Sequence, residues 1–432
     1  MQRFYPGLNI ERTDFCMLKK LRFFLLVLVL SAAGCFPQTK KIIPQADPLI
    51  RVLLATLAEN DSLYFRSLYV LQSEEAHYEF GERNQQLNIV PLKSGIQLYN
   101  QNRNLLYRNY FPIRLEPATA TGRFVFRGQE YSGTILFAPA ADAVLYLINE
   151  LPLEEYLQGV LPAEINTIRT PYFEAMKAQA VCSRTYALKR IQAGENQNRP
   201  YNLENTIVDQ VYAGFDRHTE LADRAIAETR GICITYQGEL ADIFYHSTCG
   251  GRLEAANRIW PSINAPYLSG GIDAVSDTFS CSSSPFFRWR ETRTLAQLDS
   301  SFYSNYGQSL LQLRQMEQPA DTLYLQFDLR VKQRSGSGRI EQLEITYGDT
   351  TVNLSSYEIR RFFATDREPY LRSTLFFFSQ PDDTTLEIHG AGYGHGAGMC
   401  QYGAMNMSAA RSFRYYHIIS KYFPGTTLIK KY

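Results

Sequence analysis

The stretch Leu151–Ile191, LPLEEYLQGVLPAEINTIRTPYFEAMKAQAVCSRTYALKRI, decides how the rest of this chain is read. It begins with a short acidic turn of helix, Pro152 to Gln158, that Gly159 is expected to stop. An apolar loop follows, Val160-Leu161-Pro162-Ala163, carrying one carboxylate, Glu164. Thr170 then reads as an N-cap with Pro171 at the first helical position. From Tyr172 to Ile191 the spacing predicts a helix with Phe173, Met176, Ala180, Ala187 and Ile191 on its buried stripe. Its small residues (Ala175, Ala178, Ala180, Cys182, Ser183) let other backbones approach closely. Lys177 and Arg184 are seven apart, two turns of helix, and so fall near one line of its surface. A lone carboxylate in apolar surroundings beside such a face is an acid–base candidate.

These residues resemble the sporulation protein D / amidase-enhancer (SpoIID/LytB) family, whose hallmark runs roughly LPLEEYL-x-GV-x-x-x-E and then EA-x-KAQA-x-x-x-RTY. Two further hallmarks follow in the family's order. One is His246-Ser247-Thr248-Cys249-Gly250-Gly251; the other is Gly392-Tyr393-Gly394-His395-Gly396-Ala397-Gly398-Met399-Cys400-Gln401-Tyr402-Gly403-Ala404. Asp209-Gln210-Val211-Tyr212-Ala213-Gly214 resembles the family's shorter D-x-x-Q-x-Y-x-G segment, in register over its Q-x-Y-x-G part. The resemblance covers residues 48 to 432. It implies a lytic transglycosylase that cuts peptidoglycan glycan strands between N-acetylmuramic acid and N-acetylglucosamine, with Glu164 as the acid/base. One glutamic acid would protonate the leaving oxygen and then, as carboxylate, accept the proton of the C6 hydroxyl that attacks C1. The product is a 1,6-anhydro ring. Leu161, Pro162, Ala163 and Ile165 around Glu164 are placed to raise its pKa by desolvation. The bland reading of any loop glutamate is a solvated surface charge. The competing class of function is a non-catalytic amidase enhancer or glycan-binding envelope protein, which some relatives imply.

In the same reading His395, Gln401 and Tyr402 supply hydrogen bonds to sugar groups, and Ser247 joins them as a binding residue. Lys177 and Arg184 either bind substrate, hold Glu164 or form ordinary ion pairs, for instance Lys177 with Glu174. The alternating glycines from Gly390 to Gly398 match neither a dinucleotide fingerprint nor a P-loop, so a nucleotide cradle is not expected. The plain alternative is a tight connection with His395 satisfied in the core. No cofactor is required by the chemistry. Imidazole and thiolates are good zinc ligands, and some relatives carry a metal near the His246 segment, so His246, Cys249 and Cys281 form a candidate zinc set. A Cys249–Cys281 disulfide competes with it, as do unpaired structural roles.

Met17-Leu18-Lys19-Lys20-Leu21-Arg22, the apolar Phe23–Leu30 and Ser31-Ala32-Ala33-Gly34-Cys35 read as a lipoprotein signal peptide, residues 17–34, with Cys35 as the lipidated residue. Residues 35–48 are a polar tether. Export to the cell envelope follows, with a membrane anchor at Cys35 and peptidoglycan, and a cell-wall amidase, as partners. The chain carries 44 basic and 43 acidic residues. That near-neutrality argues against nucleic acid or another polyanion as the main partner. Cys182, Cys233, Cys249, Cys281 and Cys400 remain after the leader, an odd number for an oxidising compartment.

The fold class expected is α+β: mixed antiparallel strands around a central catalytic helix, with residues 49–432 as the module and 286–375 as a candidate second lobe. Short alternating segments at Ile50–Ala55, Ser67–Leu71, Gln97–Tyr99, Arg123–Arg127, Gly133–Phe137 and Val144–Ile148 read as strands. A helix is expected at Glu220–Thr229, then strands at Ile232–Tyr236 and Ala241–Tyr245. Beyond Pro285, helix and strand segments are expected at Leu295–Tyr303, Thr322–Lys332, Arg339–Tyr347 and Ser355–Phe363, with Ser335-Gly336-Ser337-Gly338 as a hairpin turn. Gln401 begins another helix.

Overall fold

The computed structural model describes residues 46–432 except 73–76, 82–84, 94, 110–112, 142, 198, 207–208, 311–326 and 383. The leader and Cys35 lie outside the described residues, as does the first part of the strand expected from Thr322. Strand alternation governs the first hundred residues. Leu49–Leu57 pairs antiparallel with Val144–Pro152, from Leu49 opposite Pro152 to Leu57 opposite Leu145. Ile50 and Val52 point inward along it and are fully buried. These strands lie in a seven-stranded sheet whose order is Leu203–Glu204, Leu49–Leu57, Val144–Pro152, Thr134–Ala141, Ile113–Pro117, Tyr69–Gln72 and His77–Phe80. A six-stranded sheet runs Gln129–Ser132, Arg123–Phe126, Asp61–Phe65, Gln86–Leu92, Gly95–Asn100 and Leu105–Asn109. Leu63, Leu87, Ile89 and Phe124 of this second sheet share one buried cluster with Ile50, Leu115 and Leu147 of the first.

The strand Val144–Pro152 runs straight into helix α1, Leu153–Glu164. Gly159 does not stop this helix, and Pro162 lies within its last turn. The glycine serves close approach instead: a Cβ there would stand 2.4 Å from the Gly214 carbonyl oxygen and 2.5 Å from the Tyr212 ring. Helix α1 therefore ends on Glu164, which sits on a helix terminus and not in a loop. Thr170–Tyr172 forms a 3-10 turn that leads into α2, Phe173–Gln197.

Helix α2 is buried on more than a stripe. From Ala175 to Leu188 only Lys177 and Tyr186 escape full burial. It packs against α1, α3 (Glu220–Glu228) and the strand Ile232–Tyr236. A helix enclosed on all sides needs small side chains all round, and Ala175, Ala178, Ala180, Cys182 and Ser183 supply them, each fully buried.

Of the segment expected as a strand at Ala241–Tyr245, only Tyr245–His246 is paired, in parallel with Met399–Cys400. Residues 289–390 carry a hydrophobic cluster of their own, with Phe302, Leu343, Phe362, Phe363 and Ile388 at its centre. Helices α4 (Leu295–Tyr306) and α5 (Ser356–Phe362) and the hairpin Phe327–Arg334/Ile340–Tyr347 build it. The segment expected from Ser355 to Phe363 is thus the helix α5. The chain returns to the first cluster through α6, Gln401–Ala409, and α7, Tyr415–Tyr422. Among the described residues no helix is long and apolar enough to cross a membrane.

Candidate active site around Glu164

Glu164 is partly buried at the C-terminal turn of α1. Its Oε1 accepts the Val211 N–H at 3.3 Å and its Oε2 accepts Nε2 of Gln401 at 3.3 Å. The Tyr245 hydroxyl is a further partner. Burial raises the Glu164 pKa above its ordinary value, and these three hydrogen bonds only partly oppose it. The position adds to the effect in kind, because the C-terminal end of a helix disfavours negative charge. Among the described residues no charged side chain is one of its hydrogen-bond partners.

The surrounding groups are amides and hydroxyls linked into one network. Nε2 of Gln401 also reaches Oε1 of Gln179 at 3.4 Å, and Gln179 donates to Ser183 Oγ at 3.2 Å. The Tyr156 hydroxyl donates to Oε1 of Gln210 at 3.1 Å, and Nε2 of Gln210 donates to the Tyr245 hydroxyl at 2.9 Å. Gln179 and Gln210 are fully buried or nearly so. A neutral polar cage of this kind fixes a carboxyl group without fixing its charge.

Two loops far apart in sequence are joined at this site. Tyr245 and His246 pair with Met399 and Cys400, and Thr248 bridges Tyr393. The Tyr402 N–H donates to the Ser247 carbonyl at 3.0 Å, which sets Ser247 and Tyr402 side by side. The approach is too close for a side chain at Gly398, where a Cβ would lie 2.0 Å from the Phe244 carbonyl oxygen. Gly398 also has φ +70°, a conformation glycine adopts freely. The pairing places Gln401, the first residue of α6, over Glu164.

His395 is half-buried and engaged within these loops. Its Nδ1 accepts the Ala397 N–H at 3.1 Å, it bonds the Tyr245 backbone, and its ring lies 5.0 Å from that of Trp260. Burial, with Arg360 and Arg339 nearby, pushes its pKa down to about 3. It is neutral at any physiological pH and holds the loop.

The structure does not bring Arg184 to the site. Arg184 is fully buried and forks onto Glu154, with Nε to Oε1 and Nη2 to Oε2 both at 2.7 Å. Its remaining donors face the carbonyls of Ile226 and Ile232. It has no surface to offer a ligand, so the binding role expected of it is replaced by a structural one. Lys177 is likewise occupied, by Glu174 at 3.2 Å and Glu228 at 2.5 Å. The two cations do not form a cationic face, because each points into a different contact of the enclosed helix.

Residues 141–236, which contain α1, α2 and Glu164, match the family model described as Stage II sporulation protein (SpoIID). Residues 273–398 match a domain of unknown function, DUF8618. The chain is 28% identical over 306 residues to an uncharacterized protein of Brachyspira hyodysenteriae, covering 71% of this chain and 74% of that one. It is 28% identical over 363 residues to the amidase enhancer of Bacillus subtilis, covering 74% of this chain and 47% of the enhancer. It is 25% identical over 295 residues to stage II sporulation protein D of the same organism, covering 65% and 75%. Residues 141–236 therefore carry the SpoIID domain, and the chain as a whole is similar to the SpoIID/LytB proteins.

Outside the SpoIID domain the cysteines form a second arrangement. Cys249, Cys281, Cys400 and Asp273 are all buried, and their donor atoms lie within 4.8 Å of one another. The Cys249 and Cys281 sulfurs are 3.4 Å apart, and the Cys249 thiol donates to Asp273 Oδ2 at 3.1 Å. Both cysteines are free thiols here. His246 is not part of the group: its Nδ1 contacts the Ala397 carbonyl at 3.0 Å, and its buried Nε2 has no partner. The donor set expected from sequence is thereby corrected, with Asp273 and Cys400 in place of His246. The cause is the parallel pairing above, which turns Cys400 toward Cys249, whose N–H reaches the Cys400 sulfur at 3.3 Å. Tetrahedral zinc with sulfur ligands spaces its donors by about 3.5–4 Å, so three thiols and a carboxylate in this volume fit that ion. Lys421, 3.0 Å from Asp273, offsets part of their charge.

The sequence did not single out Gln179, Gln210 and Tyr245 as neighbours of Glu164. Gln210 stands in a Q-x-Y-x-G segment, and that segment was the available signal.

Proposed function

We propose that this protein is a peptidoglycan lytic transglycosylase in which Glu164 is the single acid and base. The observation that carries this reading is a partly buried carboxyl, raised in pKa, held by an amide, a hydroxyl and a backbone N–H and, among the described residues, by no charged partner. Such a group stays protonated closer to neutral pH than an exposed glutamate does, and can give up and regain a proton in one turnover. It donates to the leaving glycosidic oxygen as the bond to C1 breaks. It then receives the proton of the C6 hydroxyl as O6 bonds C1, closing the 1,6-anhydro ring without water. Gln401 and Tyr245 orient the carboxyl through both steps. Ser247 and Tyr402 lie on the joined loops beside it and would bind sugar groups.

The test is release of 1,6-anhydromuramyl products from glycan strands by the wild type and by Glu164→Gln. General acid–base catalysis contributes about 10²- to 10⁴-fold, and the variant should lose at least that much while still binding glycan. Reducing-end products from the wild type would replace transglycosylation by hydrolysis. A relative carries the name amidase enhancer; binding without any cleavage would favour that reading and an amidase as partner.

The same proposal places the protein outside the cytoplasm, anchored through a lipid on Cys35. It also assigns a bound zinc ion to Cys249, Asp273, Cys281 and Cys400. The ion would supply structural cross-linking between the two loops, and no step of the cleavage runs through it.

A further inference from the structure

Residues flanking the same two loops line a cavity of about 710 Å³. Gly250 and Gly251 follow directly on the His246–Cys249 segment, and Gly390 and Ala391 lead directly into the Gly392–Gly398 loop; all four line this cavity. Its volume falls in the range of pockets that hold small ligands. Three arginines line it, Arg252, Arg288 and Arg334, and all three are exposed. No acidic side chain of the described residues lines it. None of the three arginines has an ion pair among the described residues. Arg334 donates through Nη1 to the Gly338 carbonyl at 2.8 Å, and Arg288 donates through Nη1 to the carbonyls of Gly250 and Phe287 at 3.0 and 2.6 Å, with its guanidinium 4.0 Å from the Phe287 ring centroid; neither is neutralised by these contacts. The chain as a whole is nearly neutral, so three uncompensated cations in one cavity are a local feature and not a general one.

Aromatic surface accompanies them. Phe377 is 62% and Phe279 41% exposed, and both line the cavity together with Trp289. Phe377 is stacked on His389 with ring centroids 5.1 Å apart and is thereby held in place. Guanidinium forks pair with carboxylates in bidentate fashion. Flat apolar rings beside them suit the apolar face of a sugar or of a short peptide. The cavity is built rather than incidental. Its Arg334 side is the start of the Ser335–Gly338 hairpin, whose Ser337 hydroxyl donates to Glu254 at 2.8 Å, and buried Arg339 just after it donates to the carbonyls of Cys249 and Arg252 at 2.8 and 2.9 Å.

We propose that this cavity is a second ligand site, which takes a carboxylate-bearing portion of the peptidoglycan strand; the assignment of the strand rests on the function proposed above. Two sources offer that chemistry: the lactyl carboxylate of a muramic residue without a peptide, and the carboxylates of a stem peptide. A strand whose scissile bond lies at Glu164 would then be read for its acidic substituent by residues flanking the same two loops.

The experiment uses the full chain carrying Glu164→Gln, so that fragments are bound without turnover. Three probes are titrated: a peptide-free N-acetylglucosamine–N-acetylmuramic acid oligomer, the same oligomer with its lactyl carboxylates esterified, and a muropeptide bearing its stem. Each is compared in the parent and with Arg252→Gln/Arg288→Gln or Arg334→Gln added. The acidic probe that belongs to the site should bind the arginine variants about tenfold more weakly, given what charge-assisted contacts contribute. Added salt should weaken it further in the parent only, and esterification should reproduce the loss with no change to the protein. The identity of that acidic probe names the source. Equal binding of acidic and esterified oligomers, together with muropeptide binding unchanged by the arginine substitutions, overturns this site and leaves the catalytic reading standing. Binding of no probe overturns both.

Discussion

Glu164 is partly buried and Arg184 fully buried, and burial acts on these two ionisable residues with opposite outcomes. Among the described residues Glu164 has only neutral hydrogen-bond partners, so desolvation wins and its pKa is raised. Its folded pKa lies above the unfolded value of about 4.3. The folded state then binds the proton more tightly, and its contribution to stability declines as pH rises from the unfolded pKa through the folded one. Glu164→Gln should remove that decline. In urea titrations the variant should gain on the wild type as pH rises from about 4 and hold a constant advantage above the folded pKa; an advantage that shrinks with pH would contradict the raised pKa. Arg184 has a bidentate partner. Burial works to raise the Glu154 pKa, but the Arg184 fork, the Tyr432 hydroxyl and the Gly231 N–H together hold it below its ordinary value. That stability is present above the unfolded carboxylate pKa and is lost as pH falls through the folded one. Removing one partner of such a pair costs about 3–5 kcal/mol. Arg184→Ala should therefore lower stability by that order and leave glycan affinity of the folded fraction unchanged. Arg184→Met with Glu154→Leu should recover much of the loss. A weaker-binding Arg184→Ala protein of full stability would restore the role expected from sequence.

At the scale of elements, α1 ends where it does because of what presses on it. Gly159 looks like a helix stop, since glycine costs about 1 kcal/mol relative to alanine in a helix interior. Here the bare backbone admits Gly214 and Tyr212, which belong to the segment that also brings Gln210 and Val211 to Glu164. Gly159→Ala would gain in helix propensity and lose by overpacking, which costs about 1–3 kcal/mol. The neighbour at 2.4 Å is a backbone oxygen and cannot rotate away. The net change should be destabilising, and the displaced 209–214 segment should reduce cleavage as well. Thermal unfolding and product release on the purified variant measure the two effects; a stabilised, fully active Gly159→Ala would show that the contact is slack.

At the scale of the molecule, the cluster of Cys249, Asp273, Cys281 and Cys400 ties the two site loops to the region that begins at Asp273. One equivalent of zinc is expected in protein purified without chelator, and its removal should lower the unfolding midpoint and the activity together. Cys400→Ser should lower zinc content as Cys281→Ser does, whereas His246→Ala should not. A Cys249–Cys281 disulfide in a non-reducing peptide map, with no metal, would replace the ion by a covalent link. The region 289–390 takes part through buried Arg339, whose hydrogen bonds to Cys249 and Arg252 make it a support of the site and not filler between its parts.

The sequence by itself marked most of the elements and the candidate acid. Alternation marked the strands around Arg123, Thr134 and Val144, a helical run marked α2, and motif spacing marked Glu164, Gln401 and the cysteine-bearing loops. Periodicity and turn chemistry are local properties, written within a few residues of where they act. The tertiary structure alone decided which polar groups meet. Glu154 and Arg184 are 30 residues apart, Gln401 and Glu164 are 237 apart, and Cys249 and Cys400 are 151 apart. No local pattern distinguishes an arginine bound for a buried carboxylate from one bound for a ligand. That choice is made by the packing of α2 on every side, which leaves Arg184 no route to solvent and leaves Glu164, at the end of α1, partly open to it.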